Sequence, residues 1–127
     1  MMNQPEREAV AEFARAVLGC RCEPEVFRSI RVEAGGCADL PCVRVVIGER
    51  LLIWLVAGPV ASERVADLAK AGILERDDRG YNRFRLVLAE AGPAAETRFR
   101  AAVGADAKAH LHVVPEADWP APVRARP

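Results

Sequence analysis

The 127-residue chain predicts an α+β domain: a two-layer sandwich of a mixed five-stranded sheet with three helices, in the order α-β-β-β-α-β-α-β. Three observations carry that prediction. Apolar residues recur at helical spacing in three separate stretches. They alternate with polar residues in several others, as strands with one buried face do. Between these lies one run, "RLLIWLVAG", that is apolar on both faces and suits a central strand. The length fits one domain with a genuine core. With 51% hydrophobic and 28% charged residues the composition is that of a globular chain. Residues 1–115 are expected to form the domain and residues 116–127 a Pro-rich tail, disordered or wrapped along the surface.

The elements follow in order. Pro5 suits a first helical position, and Glu6 and Glu8 suit a helix N-terminus. Val10, Phe13, Ala14, Val17 and Leu18 then form one stripe that Gly19 ends. "EPEVF" makes one further turn. "RSIRVEA" alternates, with Ile30, Val32 and Ala34 inward, and "AGGCADLP" reads as loop by composition. "CVRVVI" and "RLLIWLVAG" are joined by Gly48-Glu49, Gly first, as a type II′ hairpin turn wants. Pro59 and Ser62 open a helix through Val65, Leu68 and Ala69 that stops at Gly72. "RFRLVLAE" is a strand, Pro93 starts a helix that ends at Gly104, and "HLHVV" is the last strand. In the sandwich, Arg31, Arg44, Arg83, Arg85, His110 and His112 lie on the face without helices.

Charge excludes some functions. Acids and bases balance at 18 each, so the chain has no basic field for non-specific nucleic-acid binding. "MMNQPEREAV" has acids where a signal peptide is positive, and no apolar segment reaches spanning length. The expectation is a cytoplasmic protein without membrane segments. Its cysteines are then expected as reduced thiols, metal ligands or redox groups, not as structural disulfides.

The cysteines are the chemical lead. Cys20 and Cys22 straddle Arg21; Cys37 and Cys42 follow within 23 residues of Cys20. If the stretch Gly35–Pro41 folds back over the end of the first helix, all four converge as a thiolate site for zinc or an iron–sulfur cluster. The spacings, Cys-x-Cys and Cys-x4-Cys, differ from the tight pairs of zinc ribbons and from ferredoxin patterns. The redox alternative uses Cys20 and Cys22 alone. Their Cα atoms are about 7 Å apart in extended chain, so closing a bond requires a turn. Cys22, before a turn begun by Pro24 and beside Arg21, is the better nucleophile; Cys20 sits past a helix C-terminus, which disfavours its thiolate. Buried cysteine is also an ordinary small hydrophobe, and Cys42 beside Val43 fits that description.

Other candidates are fewer. His110 and His112 share one strand face, where an HxH pair can bind zinc or copper, or can simply face solvent on an edge strand. No phosphate loop, nucleophile elbow or dinucleotide fingerprint is present, so the reading is not of an enzyme with its own substrate pocket. The stretch Asp67–Glu90, "DLAKAGILERDDRGYNRFRLVLAE", resembles the end of a recognition helix and the wing of winged-helix regulators. The resemblance implies a helix ending at Ala71-Gly72, a strand Ile73–Arg76, a turn Asp77–Gly80 and a returning strand Tyr81–Leu86. Arg79, Arg83 and Arg85 would then contact phosphates. The would-be recognition helix carries two acids and two bases instead of a basic face. A third reading uses Trp54, with Leu52 and Val56, as an open sheet face for a protein partner or a homodimer; if helices cover both faces instead, Trp54 is core. The sequence reading favours the first: a small cysteine-cluster protein that binds metal or cycles between thiol and disulfide, as accessory, carrier or sensor.

Overall fold

The computed structural model describes residues 2–19, 21 and 24–124. α1 (Gln4–Glu12) starts in a capping box. The Asn3 side chain accepts from the Glu6 N–H and the Glu6 carboxylate accepts from the Asn3 N–H, each at 2.9 Å. The stripe then runs into a π turn, Phe13–Val17. The wider turn keeps Phe13, Ala14 and Leu18 inward but rotates Val17 out to 44% exposure. A 3₁₀ turn (Pro24–Arg28) leads into β1 (Ile30–Cys37), β2 (Leu40–Ile47) and β3 (Leu51–Val60). α2 (Ser62–Arg79), β4 (Arg83–Ala91), α3 (Ala95–Val103) and β5 (Ala109–Val113) follow, then a 3₁₀ turn (Glu116–Asp118) and α4 (Ala121–Arg124).

The five strands form one mixed sheet in sequence order, β1-β2-β3-β4-β5. β1, β2 and β3 pair antiparallel, while β3, β4 and β5 pair parallel. The crossovers that parallel pairing demands are α2 and α3. The α+β class, the mixed sheet and the element order are those the sequence predicts. β3 is central, with every residue from Leu51 to Val56 buried, because both of its faces are apolar.

Helices cover both faces of the sheet, so no face stays open as a two-layer sandwich would leave it. On one face Val45, Ile47, Ile53, Leu55 and Val87 meet Val10, Phe13, Ala14 and Leu18. On the other, Leu52, Trp54, Val56, Phe84 and Leu86 meet Val65, Leu68, Ala69 and Phe99. The alternation then splits the residues expected on a bare face. Arg31 and Arg44 lie on the α2 side; Arg83, Arg85, His110 and His112 lie on the α1 side.

Three further expectations change. "AGGCADLP" is not a loop: β1 and β2 run up to a two-residue turn at Ala38-Asp39, with Gly35 opposite Cys42 and Gly36 opposite Pro41. Gly48-Glu49 has both residues at positive φ, +62° and +55°, which is type I′ and not type II′, and with Ile47 opposite Leu51 the connection is three residues, 48–50, and not two. α2 passes through Gly72 and stops at Gly80, which takes the left-handed cap at φ +76°. Gly72 has a different task. A Cβ there would lie 2.0 Å from the Phe84 ring, so glycine lets α2 approach β4. The described part of the tail packs into the α1-side core through Trp119 and Val123. Among the described residues no helix is long and apolar enough to cross a membrane.

Candidate functional site

The β1–β2 hairpin brings two of the four cysteines together. Cys37 stands opposite Leu40 and Cys42 opposite Gly35, so the pair is diagonal across the ladder on one face. Their Cα atoms are 5.9 Å apart and their sulfurs are bonded, at a separation ordinary for a disulfide. Both side chains are buried, at 1% and 5% exposure, against the apolar cluster under α2. The backbone around them is open: Gly35, Gly36, Asp39 and Pro41 are all exposed.

The turn between them is unusual for its residues. Ala38 and Asp39 have φ of +48° and +70°. An L-residue with a Cβ pays about 1–2 kcal/mol in that region, which is why Asn-Gly or Asp-Gly is the common choice. Such a conformation persists only where its surroundings hold it. Here two arginines do so. The Arg64 guanidinium, from the first turn of α2, donates to the Ala38 carbonyl at 2.7 Å, and Arg44 donates to the Gly36 carbonyl at 2.8 Å.

Arg44 is itself anchored. Its Nε and Nη2 donate to the Glu75 carboxylate at 2.9 and 3.0 Å, and Trp54 Nε1 donates to the same carboxylate at 3.3 Å. The guanidinium also lies 5.3 Å from the centre of the Trp54 ring, a cation–π distance. The hairpin tip is therefore tied to α2 at two points, by Arg64 directly and by Arg44 through Glu75. Sequence reading missed both arginines. The period-two alternation puts Arg44 on the same face as Trp54, and that was the available signal. Nothing in the sequence pairs Arg64 with Ala38.

The remaining cysteines, Cys20 and Cys22, lie outside the described residues, and with them the Cys20/Cys22 redox pair. A four-cysteine site requires a loop Gly35–Pro41 folded over the end of the first helix. That segment is instead strand and turn, and Cys37 and Cys42 face α2, while Leu18 at the end of the π turn lies in the core of the opposite face. Bonded to each other, Cys37 and Cys42 offer no thiolates. Among the described residues no group of three His, Cys, Asp or Glu side chains is placed to hold a metal ion.

His110 and His112 do share a face of the edge strand β5, but it is the face toward α1, and both are partly buried. His112 Nε2 lies 2.9 Å from Nη1 of Arg85. Arg85 is 9% exposed. A guanidinium only donates, so the imidazole accepts and is neutral, with its proton on Nδ1. Burial first, then the Arg85 charge and His110, push the His112 ring down to about 4. Burial and the charges of Arg85 and Arg83 also lower His110. No cysteine joins this pair among the described residues; the Cys20 and Cys22 that a mixed site would use lie outside them.

The winged-helix resemblance does not survive folding. Residues 73–79 continue α2 instead of forming a strand, and β4 lies inside the sheet between β3 and β5 instead of returning in a wing. Arg85 is buried against His112. The Trp54 face is not open either. Trp54 is 2% exposed, packed edge-to-face on Phe84 at 5.4 Å. Comparison with protein-family models, curated proteins and solved structures gives no match, so the reading of this chain rests on the Cys37–Cys42 hairpin and the groups that hold it.

Proposed function

We propose that this chain acts in thiol redox as a cytoplasmic accessory or sensor protein, with Cys37–Cys42 as the responsive bond. The observation that carries the reading is the pairing of these two cysteines across the tip of an edge hairpin whose turn is held in a costly conformation. In a reducing compartment a disulfide that forms at all is transient or regulatory. The chemistry is exchange with a partner dithiol. One partner thiolate attacks a sulfur of the bond and forms a mixed disulfide. The second partner thiol then displaces the remaining protein thiolate. The products are two protein thiols and one oxidised partner, so two electrons and two protons pass between the pairs.

Burial sets the condition for exchange: the tip must lift from α2 before either sulfur is reached. That requires releasing the Arg64 and Arg44 hydrogen bonds. The strain at Ala38-Asp39 favours release once the bond opens, which couples the redox state to the shape of the tip.

The test is differential alkylation, read by mass spectrometry, across a series of dithiol concentrations, with hydrogen exchange on the same samples. The expected result is that Cys37 and Cys42 become alkylated while the amides of β3 and β4 stay protected. Bond opening only together with loss of protection in β3 would make the disulfide purely structural and overturn the proposal. So would reduced protein that binds one zinc per chain and loses it on Cys20→Ser/Cys22→Ser substitution, which would restore the metal reading.

A further inference from the structure

The outer edge of β1 is a long, regular sheet edge. β1 is the first strand of the sheet, and among the described residues no strand lies beyond it. Its eight residues pair with β2 without a register shift, and it contains neither proline nor bulge. Those are two of the devices that blunt an exposed edge, charged side chains being another.

The ladder decides which backbone groups face outward. The Gly48 N–H donates to the Ser29 carbonyl at 2.7 Å, and a two-residue turn closes between Cys37 and Leu40. Both place the odd-numbered residues in hydrogen-bonded pairs with β2. In an antiparallel ladder such pairs alternate with residues whose groups point away. Ile30, Val32 and Ala34 therefore direct N–H and C=O groups outward, while the Gly36 carbonyl is taken by Arg44.

A second strand can bond there only with its own outward groups opposite these. For two copies related by a two-fold axis, the axis can then fall on Val32, on Glu33 or on their neighbours, and side-chain charge separates the choices. Centring on Glu33 sets Glu33 against Glu33 of the other copy, and centring on Arg31 sets two arginines together. Centring on Val32 sets Arg31 against Glu33 twice, Val32 against Val32, and Ile30 against Ala34. The charged pairs then occupy the non-hydrogen-bonded positions, where facing side chains come closest. Glu33 is exposed; Arg31, 43% exposed, already donates through Nη2 to Glu49 and the Tyr81 hydroxyl within its own chain, so in the dimer its guanidinium serves the other copy's Glu33 in addition to these. Arg79 and Arg44 lie on the same side. The opposite edge, β5, has five residues and no acid to pair with its histidines.

We infer that the occupant of this edge is a second copy of the chain, joined antiparallel through β1 about Val32 into one ten-stranded sheet. The interface is isologous, and its register is set by the Arg31–Glu33 pairs. It does not depend on the redox state of Cys37–Cys42.

The test is sedimentation of the full chain, under reductant to exclude intermolecular disulfides, from about 1 to 500 µM, the range in which a small interface is populated. A dimer is expected. Glu33→Arg should raise its dissociation constant about tenfold or more, since it replaces two attractions by two repulsions. The double variant Arg31→Glu/Glu33→Arg should restore association, because the swapped charges again face each other. Circular dichroism confirms that each variant is folded. A monomer at every concentration overturns the inference, and so does a dimer that Glu33→Arg leaves intact. A folded double variant that stays monomeric excludes the proposed register.

Discussion

His112 illustrates how one side chain's surroundings set its chemistry. Read alone, an HxH pair on an edge strand offers two imidazoles to a metal. In the fold the ring accepts from Arg85 and is held neutral, with its protonation pushed down to about 4. The unfolded chain protonates the same ring near the usual ~6.5. As pH falls between those values the unfolded state takes up a proton that the folded state refuses, so stability declines over that window and levels off below it. His110 acts in the same direction. Asp106, lowered by its Arg76 partner, acts only below the ordinary carboxylate range. The urea midpoint of the wild type should therefore drop between pH 7 and pH 5. His112→Gln, which keeps an acceptor for Arg85 but does not titrate, should drop by less. Equal slopes for the two proteins would show that His112 is not the group responsible.

At the scale of elements, α2 shows where local signals mislead. Ala71-Gly72 reads as a helix stop, yet the helix continues for two further turns to Gly80. The reason is packing: Gly72 faces Phe84, and any larger residue collides with its ring. Gly72→Ala improves intrinsic helix propensity by about 1 kcal/mol, but overpacking a close contact costs about 1–3 kcal/mol. The second term should win, and urea unfolding should show net destabilisation. A stabilised Gly72→Ala protein would mean that α2 and β4 are further apart than described. The same logic separates the two hairpins. Gly48 was legible as a turn residue, though its type was not. Ala38-Asp39 was not legible as a turn, because Asp39 tolerates positive φ but Ala38 does not favour it. Only strand pairing on both sides, with Arg64 and Arg44 holding the carbonyls, places them there.

For the molecule as a whole, the core lies in two halves on either side of the sheet, and the C-terminal segment closes one of them. Trp119 is 3% exposed, and its indole donates to the Val114 carbonyl at 2.9 Å. Trp119→Ala should cost about 3–5 kcal/mol, the usual loss for a large buried aromatic, measured by chemical unfolding. A change under about 1 kcal/mol would mark residues 116–124 as a surface strap and not core. The sequence by itself determined what depends on neighbours along the chain. Periodicity carried five strands, the capped first helix, the centrality of β3 and the order of elements. Local composition carried Cys42 as a buried residue. The tertiary structure decided everything that depends on which face meets which. It put α1 and α2 on opposite faces, buried Trp54, continued α2 past Gly72 and closed Cys37 onto Cys42. A strand's alternation says that two faces differ; it does not say what will cover them, because that free energy comes from residues far away in the chain.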